Sequence, residues 1–569
     1  MPVGDTARLS RSLSASLPAT ATAITWKLDD ALVARLEGDL VIPLAPGRTR
    51  VTASIAGRVV CVGLTTLFTG AAVTALTVNE SPVPLTADAG TRVGAKLRFS
   101  NGLSVPVQGA VVWESLDPTI AGVSPSAWLT PRRDGTARIV ATMGAFADTA
   151  TLLIGTQPQY QSVQPRRAGD FTGSIGVNIH LSYFDRVYGS EFRTIIVPRL
   201  RELGVRHLRD GGTVLPNEDW MKEVYGRYRE TADATGAQFT VIMSPRRTAT
   251  GPGTNYTDVS HIRELAERIG IGRIAAWEGL NEHDLTGRPE FARETRDLQR
   301  ATYAFVKANP DLAARHQVIG PSIATLSMAG QVGDLSAYMD EGAIHPYDGG
   351  QVPGTNLRAH SDAIRVISGN RALQATEVGY HTAHASSNPW HWAINESAQA
   401  KYTLRQFLEL FNAGVTRSFA YELIDEGTDP TDMEQYFGLL RNDGSRKPAF
   451  EALRNMIALL DDRTAPAFAT QPLRVAFSGD TTGVHRLLLE KADGRRYLVL
   501  WQNTLSYDKI NRRDVAATPR TVGLAFDRSL SMANVYIPLG GVAAAAAHRQ
   551  VRTLSVSVSD HPVVVELVN

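Results

Sequence analysis

Three parts of the chain differ in the pattern of apolar and polar positions. Residues 1 to about 155 contain short runs in which apolar and polar residues alternate, separated by Gly, Pro, Asp and Asn. Residues 465–569 show the same alternation, which is typical of strands with one buried face. Between them, short apolar runs alternate with amphipathic helical segments. The pattern therefore predicts β-rich regions on either side of an α/β domain.

The N-terminal β-rich region contains an internal repeat. Residues 24–57 and 111–144 each show a strand, a Trp followed by an Asp-containing turn, a second strand, a Gly-containing turn and a long alternating strand. We therefore predict two tandem β-sandwiches, at residues 1–72 and 73–156. They resemble bacterial immunoglobulin-like group 2 modules, a resemblance that implies a role as spacer or rigid support.

The central part contains eight apolar runs, most of them separated by a helical segment. These runs lie at residues 175–181, 205–211, 238–244, 275–282, 317–323, 342–347, 373–379 and 418–425. Eight strands alternating with helices predict a parallel (β/α)8 barrel, which we place at residues 173–462. A polar segment with two prolines, residues 157–172, is predicted to be a linker. Residues 463–569 are predicted to form a C-terminal β-sandwich.

Polar residues close most of the predicted barrel strands. In a (β/α)8 barrel the active site lies at the C-terminal ends of the strands, so these residues are the candidates for chemistry. A ring of this kind suits a polyhydroxyl ligand, with two carboxylates placed across a bond to be cut. In strand order the ring comprises Asn178 and His180, Arg209 and Asp210, Asn281 and Glu282, His345 and Tyr347, Glu377, and Tyr421 and Glu422.

The order of three motifs carries a family resemblance. Asn281-Glu282 closes the fourth strand, His345-Pro346-Tyr347 closes the sixth, and Glu377 closes the seventh. This order resembles glycoside hydrolase clan A, and flanking segments are similar to families 39 and 5. The resemblance covers about half of the chain. It implies a retaining O-glycosidase with Glu282 as acid/base and Glu377 as nucleophile, and it requires no metal and no cofactor.

The resemblance also implies roles for neighbouring residues. Arg209 and Tyr347 would hold Glu377 ionised and aligned, and Asn281 would bond the sugar 2-hydroxyl. Glu278, on the same strand face as Glu282, is predicted to be a buried, paired support residue. Each candidate has a structural alternative, such as a helix cap, an ion pair or packing at the barrel mouth. The remaining predicted substrate contacts are Asn178, His180, His345, Trp390, Trp392, Tyr421 and Glu422.

Two positions depart from the family pattern. Many relatives carry a Trp at the end of the eighth strand, where this chain has Tyr421 or Glu422. His283 stands where a Pro often follows the acid/base residue. The first departure bears on the shape of the sugar-binding pocket.

Composition narrows the class of partner. The 58 Lys and Arg nearly cancel the 57 Asp and Glu, so no global field attracts nucleic acid or an anionic membrane. No run of about 20 apolar residues predicts membrane insertion. One cysteine excludes an intrachain disulfide and a cysteine-based zinc site. An uncharged or mildly acidic polysaccharide or oligosaccharide is the expected partner, and no coiled-coil heptad indicates an oligomeric state.

The sequence is compatible with more than one cellular location and more than one function. We expect an extracellular or cell-surface protein. Because the N-terminal segment lacks the basic and apolar stretches of a secretory signal, the signal was removed or export uses another route. The alternatives are a non-catalytic carbohydrate-binding or adhesive surface protein and a virion-associated polysaccharide depolymerase. A metal-dependent barrel hydrolase is disfavoured, because no His-x-His pair closes a strand.

Overall fold

The protein forms two compact units, Met1–Pro158 and Gln159–Asn569, each of which is described by itself. The structure, a computed structural model, describes residues 7–8, 25–29, 34–38, 40–43, 47–55, 58–66, 72–79, 90–100, 104–107, 111–154, 158–249 and 251–569. No helix within these ranges has both the length and the apolar character that a bilayer crossing requires.

The described residues of the first unit form antiparallel β-sheets. They have the strand orders β1-β4-β3, β2-β5-β6, β10-β9-β7, β11-β14-β15 and β12-β13-β8. The strands are β1 (Ala7–Arg8), β2 (Thr25–Leu28), β3 (Ala34–Glu37), β4 (Leu40–Pro43), β5 (Gly47–Ile55), β6 (Arg58–Thr66), β7 (Val73–Asn79), β8 (Thr91–Arg92), β9 (Gly94–Phe99), β10 (Ser104–Val107), β11 (Val112–Ser115), β12 (Ala121–Val123), β13 (Trp128–Pro131), β14 (Gly135–Met143) and β15 (Phe146–Ile154).

Two separate apolar cores lie in this unit. Ala34, Val41 and Val51 form one, and the other is built around Leu129 and Ile139 of the later strands. The β-rich character predicted from alternation is therefore present. The boundaries at residues 72 and 156 and the immunoglobulin-like resemblance stay predictions, because they depend partly on residues outside the described ranges.

The segment predicted to be a linker forms part of the C-terminal sheet. Within residues 157–172, β16 (Gln161–Val163) pairs antiparallel with residues 473–475, and β17 (Arg166–Arg167) pairs parallel with residues 489–490. Residue 157 lies outside the described residues. The segment therefore contributes two strands to the C-terminal sheet, and strands this short show no periodicity from which they could be predicted.

Eight parallel strands follow and form a nearly closed barrel. The sheet order is β22-β21-β20-β19-β18-β25-β24-β23, and a parallel bridge between Ile319 and Glu341 joins the two ends. All eight predicted strands are thereby confirmed. They are β18 (Ile175–Asn178), β19 (His207–Gly212), β20 (Gln238–Met243), β21 (Ile274–Glu278), β22 (Gln317–Ile319), β23 (Gly342–Ile344), β24 (Leu373–Val378) and β25 (Ser418–Ala420).

The helices around the barrel begin and end at residues suited to those positions. The Asn217 side chain accepts the Trp220 N–H at the start of α4, and Gly236 ends that helix with φ 70°. Asn395 caps α10 in the same way. The helices are α1 (Ala168–Gly173), α2 (Val187–Ser190), α3 (Val197–Leu203), α4 (Glu218–Thr235), α5 (His261–Ile269), α6 (Phe291–Ala308), α7 (Pro310–Ala313), α8 (Ala329–Val332), α9 (Leu357–Ser368), α10 (Glu396–Asn412) and α11 (Pro448–Leu460).

The C-terminal region is mostly β, as predicted. Its sheet order is β16-β26-β31-β33-β28-β27-β17, with β32 on β31. The long strand β31 pairs with β26 in its first half and with β33 in its second, so both halves share one apolar core. The strands are β26 (Leu473–Gly479), β27 (Val484–Glu490), β28 (Arg496–Gln502), β29 (Tyr507–Asp508), β30 (Arg513–Asp514), β31 (Arg520–Tyr536), β32 (Ala544–Val558) and β33 (Val563–Val568).

Candidate active site

A large cleft opens at the C-terminal ends of the barrel strands. Its volume is about 1210 Å³, which exceeds the space that one sugar ring needs and leaves room for several. All but one of the predicted site residues line it. The lining includes Asn178, His180, Arg209, Asn281, Glu282, His345, Tyr347, Glu377, Trp390, Trp392 and Tyr421.

Glu377 lies on β24 with both carboxylate oxygens hydrogen-bonded. Arg209 Nη1 donates to Oε1 at 2.7 Å, and the Tyr347 hydroxyl donates to Oε2 at 2.8 Å. These are the two contacts predicted for this glutamate. Burial raises the pKa of Glu377, but the positive charges of His345 and Arg209 outweigh burial and hold that pKa below its ordinary value. Glu377 is therefore kept ionised.

Arg209, on β19, uses all five of its N–H groups. It binds both oxygens of Glu278 at 2.6 and 2.9 Å, which confirms the buried, paired role predicted for that residue. Nη1 donates to Asn178 Oδ1 at 2.9 Å as well as to Glu377, and Nη2 donates to Asn281 Oδ1 at 2.5 Å. Burial lowers the pKa of Arg209, but the negative charges of Glu278 and Glu377 have the larger effect and raise that pKa above its ordinary value. The guanidinium is therefore always charged. It positions four side chains, which belong to β18, to β24, and to β21 and the turn after it.

Glu282 follows β21 on a strained turn. Its backbone has φ 45° and ψ 42°, a left-handed conformation that is uncommon for a residue other than glycine. Its N–H donates to Ser322 Oγ at 3.1 Å. The side chain is 21% exposed to the cleft. The strained turn thus aims a reachable carboxyl group at the space in front of Glu377.

His345, on the loop after β23, lies between the two carboxylates. Its Nδ1 is 2.6 Å from Glu282 Oε1 and 3.6 Å from Glu377 Oε2, and its Nε2 is 3.0 Å from Thr376 Oγ1. One oxygen of each glutamate and a ring nitrogen lie within 4.8 Å of one another. Burial lowers the pKa of His345, but the charges of Glu377 and Glu282 raise it above its ordinary value.

Asn178 and Asn281 differ in whether the side-chain amide N–H groups are free to contact a ligand. Asn178 is buried, and its amide donates to the carbonyls of Thr376 and Ala420 at 3.2 and 3.3 Å, so its hydrogen bonds stay inside the protein. Asn281 is exposed, and its Oδ1 accepts from Arg209 and Ser322. Within the described part of the chain nothing accepts from the Asn281 amide. Asn281 can donate into the cleft, and Asn178 serves as a support.

Aromatic residues form one side of the cleft. The Tyr347 ring packs edge-on against His391, Tyr421 and Phe437 at 5.2, 6.5 and 5.8 Å. Lys509, from the C-terminal region, lies 5.6 Å from the ring of Trp392. Trp390 stands at the rim with 83% of its surface exposed. An apolar ring exposed to this degree beside a polar cleft suits the face of a sugar.

The prediction for Glu422 was wrong. This residue was predicted to bind substrate, but it is fully buried and does not line the cleft. The strand β25 ends at Ala420, so alternation along the strand no longer fixes the direction of a side chain two residues later. His180 does line the cleft, with its ring stacked on Tyr183 at 4.6 Å.

Glu434 is a cleft residue that sequence reasoning missed. It lies on a short 3-10 turn, Met433–Tyr436, in the loop after β25, and the Tyr421 hydroxyl is 3.5 Å from its Oε2. Partial enclosure, with Glu377, Asp432 and Glu282 adding their charge, raises the pKa of Glu434 to about 7. In the sequence, only the acidic composition of the loop pointed to Glu434. Hydrophobic periodicity does not predict which residues of a loop face a cleft.

Comparison with known proteins finds likeness in structure alone. No protein-family model and no curated protein matches the sequence. A family 39 glycoside hydrolase from Bacteroides cellulosilyticus WH2 is 14% identical over 86% of this chain and 100% of that chain, with a TM-score of 0.47. A glucosidase from Croceicoccus marinus is 12% identical over 73% and 97%, with a TM-score of 0.44. An FMN-binding beta-glucuronidase from Facaelibacterium prausnitzii L2-6 is 14% identical over 95% and 83%, with a TM-score of 0.35.

Proposed function

We propose that this protein is a retaining glycoside hydrolase that cleaves a polysaccharide or oligosaccharide by double displacement. The observation that carries the proposal is the pair Glu282 and Glu377, whose nearest oxygens lie within 4.8 Å across one cleft. Retaining enzymes hold their two carboxyl groups about 5–5.5 Å apart, whereas inverting enzymes need about 6.5–9.5 Å to admit a water. The short separation favours direct attack by a carboxylate.

In the first step, a Glu377 oxygen attacks the anomeric carbon while the bond from that carbon to the leaving oxygen breaks. The leaving oxygen takes the proton of Glu282, and a glycosyl ester on Glu377 forms. In the second step, water gives its proton to Glu282 and its oxygen attacks the anomeric carbon, which releases Glu377. Two displacements restore the starting anomeric configuration.

The surroundings of the two glutamates suit these different tasks. Arg209 and Tyr347 donate to Glu377 and keep it a carboxylate, and their fixed geometry avoids reorganisation when charge moves to the sugar. His345, 2.6 Å from Glu282, can share the proton that the leaving group takes. The unused Asn281 amide is placed to donate to a sugar hydroxyl as the oxocarbenium-like transition state forms.

The wider cleft supports a glycan as substrate. Its volume of about 1210 Å³ and the exposed ring of Trp390 suit a chain of sugars. We further propose that the protein acts outside the cell or at its surface and that the N-terminal β-rich unit is a spacer. A binding protein without activity does not need Glu377 to be held ionised beside a second reachable carboxyl group, so we prefer the enzyme.

The test is the anomeric configuration of the first product. Proton NMR of digests from a panel of plant and bacterial glycans should show the anomer of the substrate, and Glu377→Gln and Glu282→Gln should each lose activity. Glu267→Gln, on the exposed outer face of α5, is the matched control and should act like the wild type. An inverted product, or full activity in either cleft variant, would refute the assignment.

A further inference from the structure

A second group of histidine and glutamates lies behind the wall of the cleft. His180 Nε2 is 3.3 Å from Glu422 Oε2 and 3.7 Å from Glu426 Oε1, and one ligand atom of each residue lies within 4.8 Å of the others. His180 belongs to the loop after β18, and both glutamates belong to the loop after β25. The cluster therefore joins the first and the last strand of the barrel.

The atoms that converge there lack partners. In residues 158–249 and 251–569, His180 Nε2, both oxygens of Glu422 and Oε1 of Glu426 are buried without a hydrogen bond. Arg186 lies 3.6 Å from the other oxygen of Glu426 and does not reach Glu422. An unpaired buried carboxylate costs several kcal/mol, so these oxygens require either a shared proton or a bound cation.

A metal ion has the chemistry to compensate them. Zn²⁺ takes imidazole nitrogen and carboxylate oxygen at about 2.0–2.2 Å, and a tetrahedral arrangement places its ligand atoms roughly 3.3–3.6 Å apart. The observed 3.3 Å lies within this range and the observed 3.7 Å lies just above it. Ca²⁺ and Mg²⁺ prefer sites made wholly of oxygen, so an imidazole ligand favours a transition ion.

We propose that His180, Glu422 and Glu426 form a binding site for one divalent transition-metal ion, with Zn²⁺ as the best geometric fit. The ion lies between the loops after β18 and β25 and holds them together. The His180 ring, stacked on Tyr183, forms part of the cleft wall, and Tyr421 precedes Glu422 directly in the chain. The ion thus stabilises the wall of the cleft without taking part in bond cleavage.

A surface pocket gives the site an entrance. Glu426 lines a second cavity of about 510 Å³ together with Arg186 and Asp443, outside the main cleft. An ion can reach the cluster from this side while the main cleft is occupied by substrate.

The experiment measures Zn²⁺ bound to the full chain after removal of metals with a chelator. Equilibrium dialysis with elemental analysis should give one Zn²⁺ per chain, and the Tm should rise by a few degrees at saturating Zn²⁺. Glu426→Gln should weaken binding about 100-fold or more, since even outer partners of metal ligands are worth roughly 10–100-fold. His180→Asn should do the same and remove the rise in Tm.

Two control variants make the result specific. Glu377→Gln alters the other grouping of histidine and glutamates, Glu282, His345 and Glu377, and should leave the bound Zn²⁺ unchanged. His384→Ala removes an exposed histidine and should also leave it unchanged. No saturable binding by the wild type, loss of binding in Glu377→Gln, or unchanged binding in folded Glu426→Gln would overturn the proposal. Circular dichroism identifies any variant that fails to fold.

Discussion

Glu377 and Glu422 stand at the ends of neighbouring barrel strands, and both are buried. Each oxygen of Glu377 accepts a hydrogen bond, and adjacent positive charges bring its pKa below the ordinary value although burial raises it. Within residues 158–249 and 251–569 neither oxygen of Glu422 accepts a hydrogen bond, although His180 Nε2 lies 3.3 Å away, and burial raises the pKa of Glu422 well above the ordinary value. The same side chain is thus a stable anion in one place and an uncompensated group in the other.

Burial alone therefore does not assign a role to a carboxyl group. Two donors and nearby positive charge keep a buried glutamate ionised, the form that the proposed nucleophile requires, because they favour the charged form. Without donors, the group must stay protonated or bind a cation. The residues that donate hydrogen bonds to Glu377 are therefore the first to substitute.

The largest effect is expected from pH. In the proposed reaction Glu377 must be ionised, and its pKa lies below the ordinary value of a glutamate, so kcat/KM should fall about tenfold per pH unit only as pH drops below that ordinary value. In the same reaction the leaving group needs the proton shared by Glu282 and His345, and the pKa of His345 lies above its ordinary value. Activity should therefore be lost as pH rises above the ordinary pKa of a histidine. The limbs belong to the coupled group as a whole.

A pH profile of kcat/KM with a natural glycan or an aryl glycoside checks this prediction. An acid limb above the ordinary pKa of a glutamate would contradict the view that Arg209 and His345 keep Glu377 ionised. Glu434, whose pKa is about 7, lies in the same cleft, so Glu434→Gln is the variant that separates its contribution from that of His345.

Arg209→Lys should bring the surroundings of Glu377 closer to those of Glu422. Lysine keeps the charge but loses the planar fork, so Glu278, Asn178, Asn281 and Glu377 cannot all be bonded. We expect kcat/KM to fall about 100-fold from misplacement of Glu377 and the acid limb to move to higher pH. Stability should fall by about 3 kcal/mol, because the buried Glu278 loses its bidentate partner.

Arg405→Lys is the matched control for that variant. Arg405 is also fully buried, but it donates to the carbonyls of Gln502 and Thr504 and to the Ser506 hydroxyl, away from the cleft. It should lose stability in denaturant unfolding and keep its pH profile. An equal shift of the acid limb in both variants would mean that the shift reports general loosening of the barrel.

Tyr347→Phe removes one donor and leaves the other. A hydrogen bond to a charged group contributes about 1.5–3 kcal/mol, so kcat/KM should fall roughly 10–100-fold, with a small rise of the acid limb. Tyr402→Phe is the control, because its hydroxyl accepts the Ser506 N–H and touches no cleft residue. An unchanged kcat/KM in Tyr347→Phe would show that the Tyr347 hydrogen bond does not contribute to the state of Glu377, which Arg209 and His345 would then set.

The sequence predicted much of the barrel and of this site. The eight strands follow from apolar runs, and Glu282, Glu377, Arg209 and Tyr347 share a cleft because the C-terminal ends of parallel strands meet at one edge. The surroundings of Glu422 were not predictable, because the side chain lies beyond the end of β25, where no periodicity applies. Asn178 was expected to contact the substrate, but its amide donates to Thr376 and Ala420, which lie on nearby strands of the barrel and are far away in the sequence.

The smallest effect is expected at the rim, where Trp390 contacts neither carboxylate. Stacking of an exposed ring on a sugar contributes about 0.5–1.5 kcal/mol, so Trp390→Ala should raise KM roughly 2–10-fold for long oligosaccharides and leave short aryl glycosides unaffected. The acid limb should stay at its wild-type position, because neither donor of Glu377 is altered. Trp128→Ala, at another exposed tryptophan, is the control and should change neither constant. A shifted acid limb in Trp390→Ala would mean that the state of Glu377 depends on the whole cleft and not on its two donors.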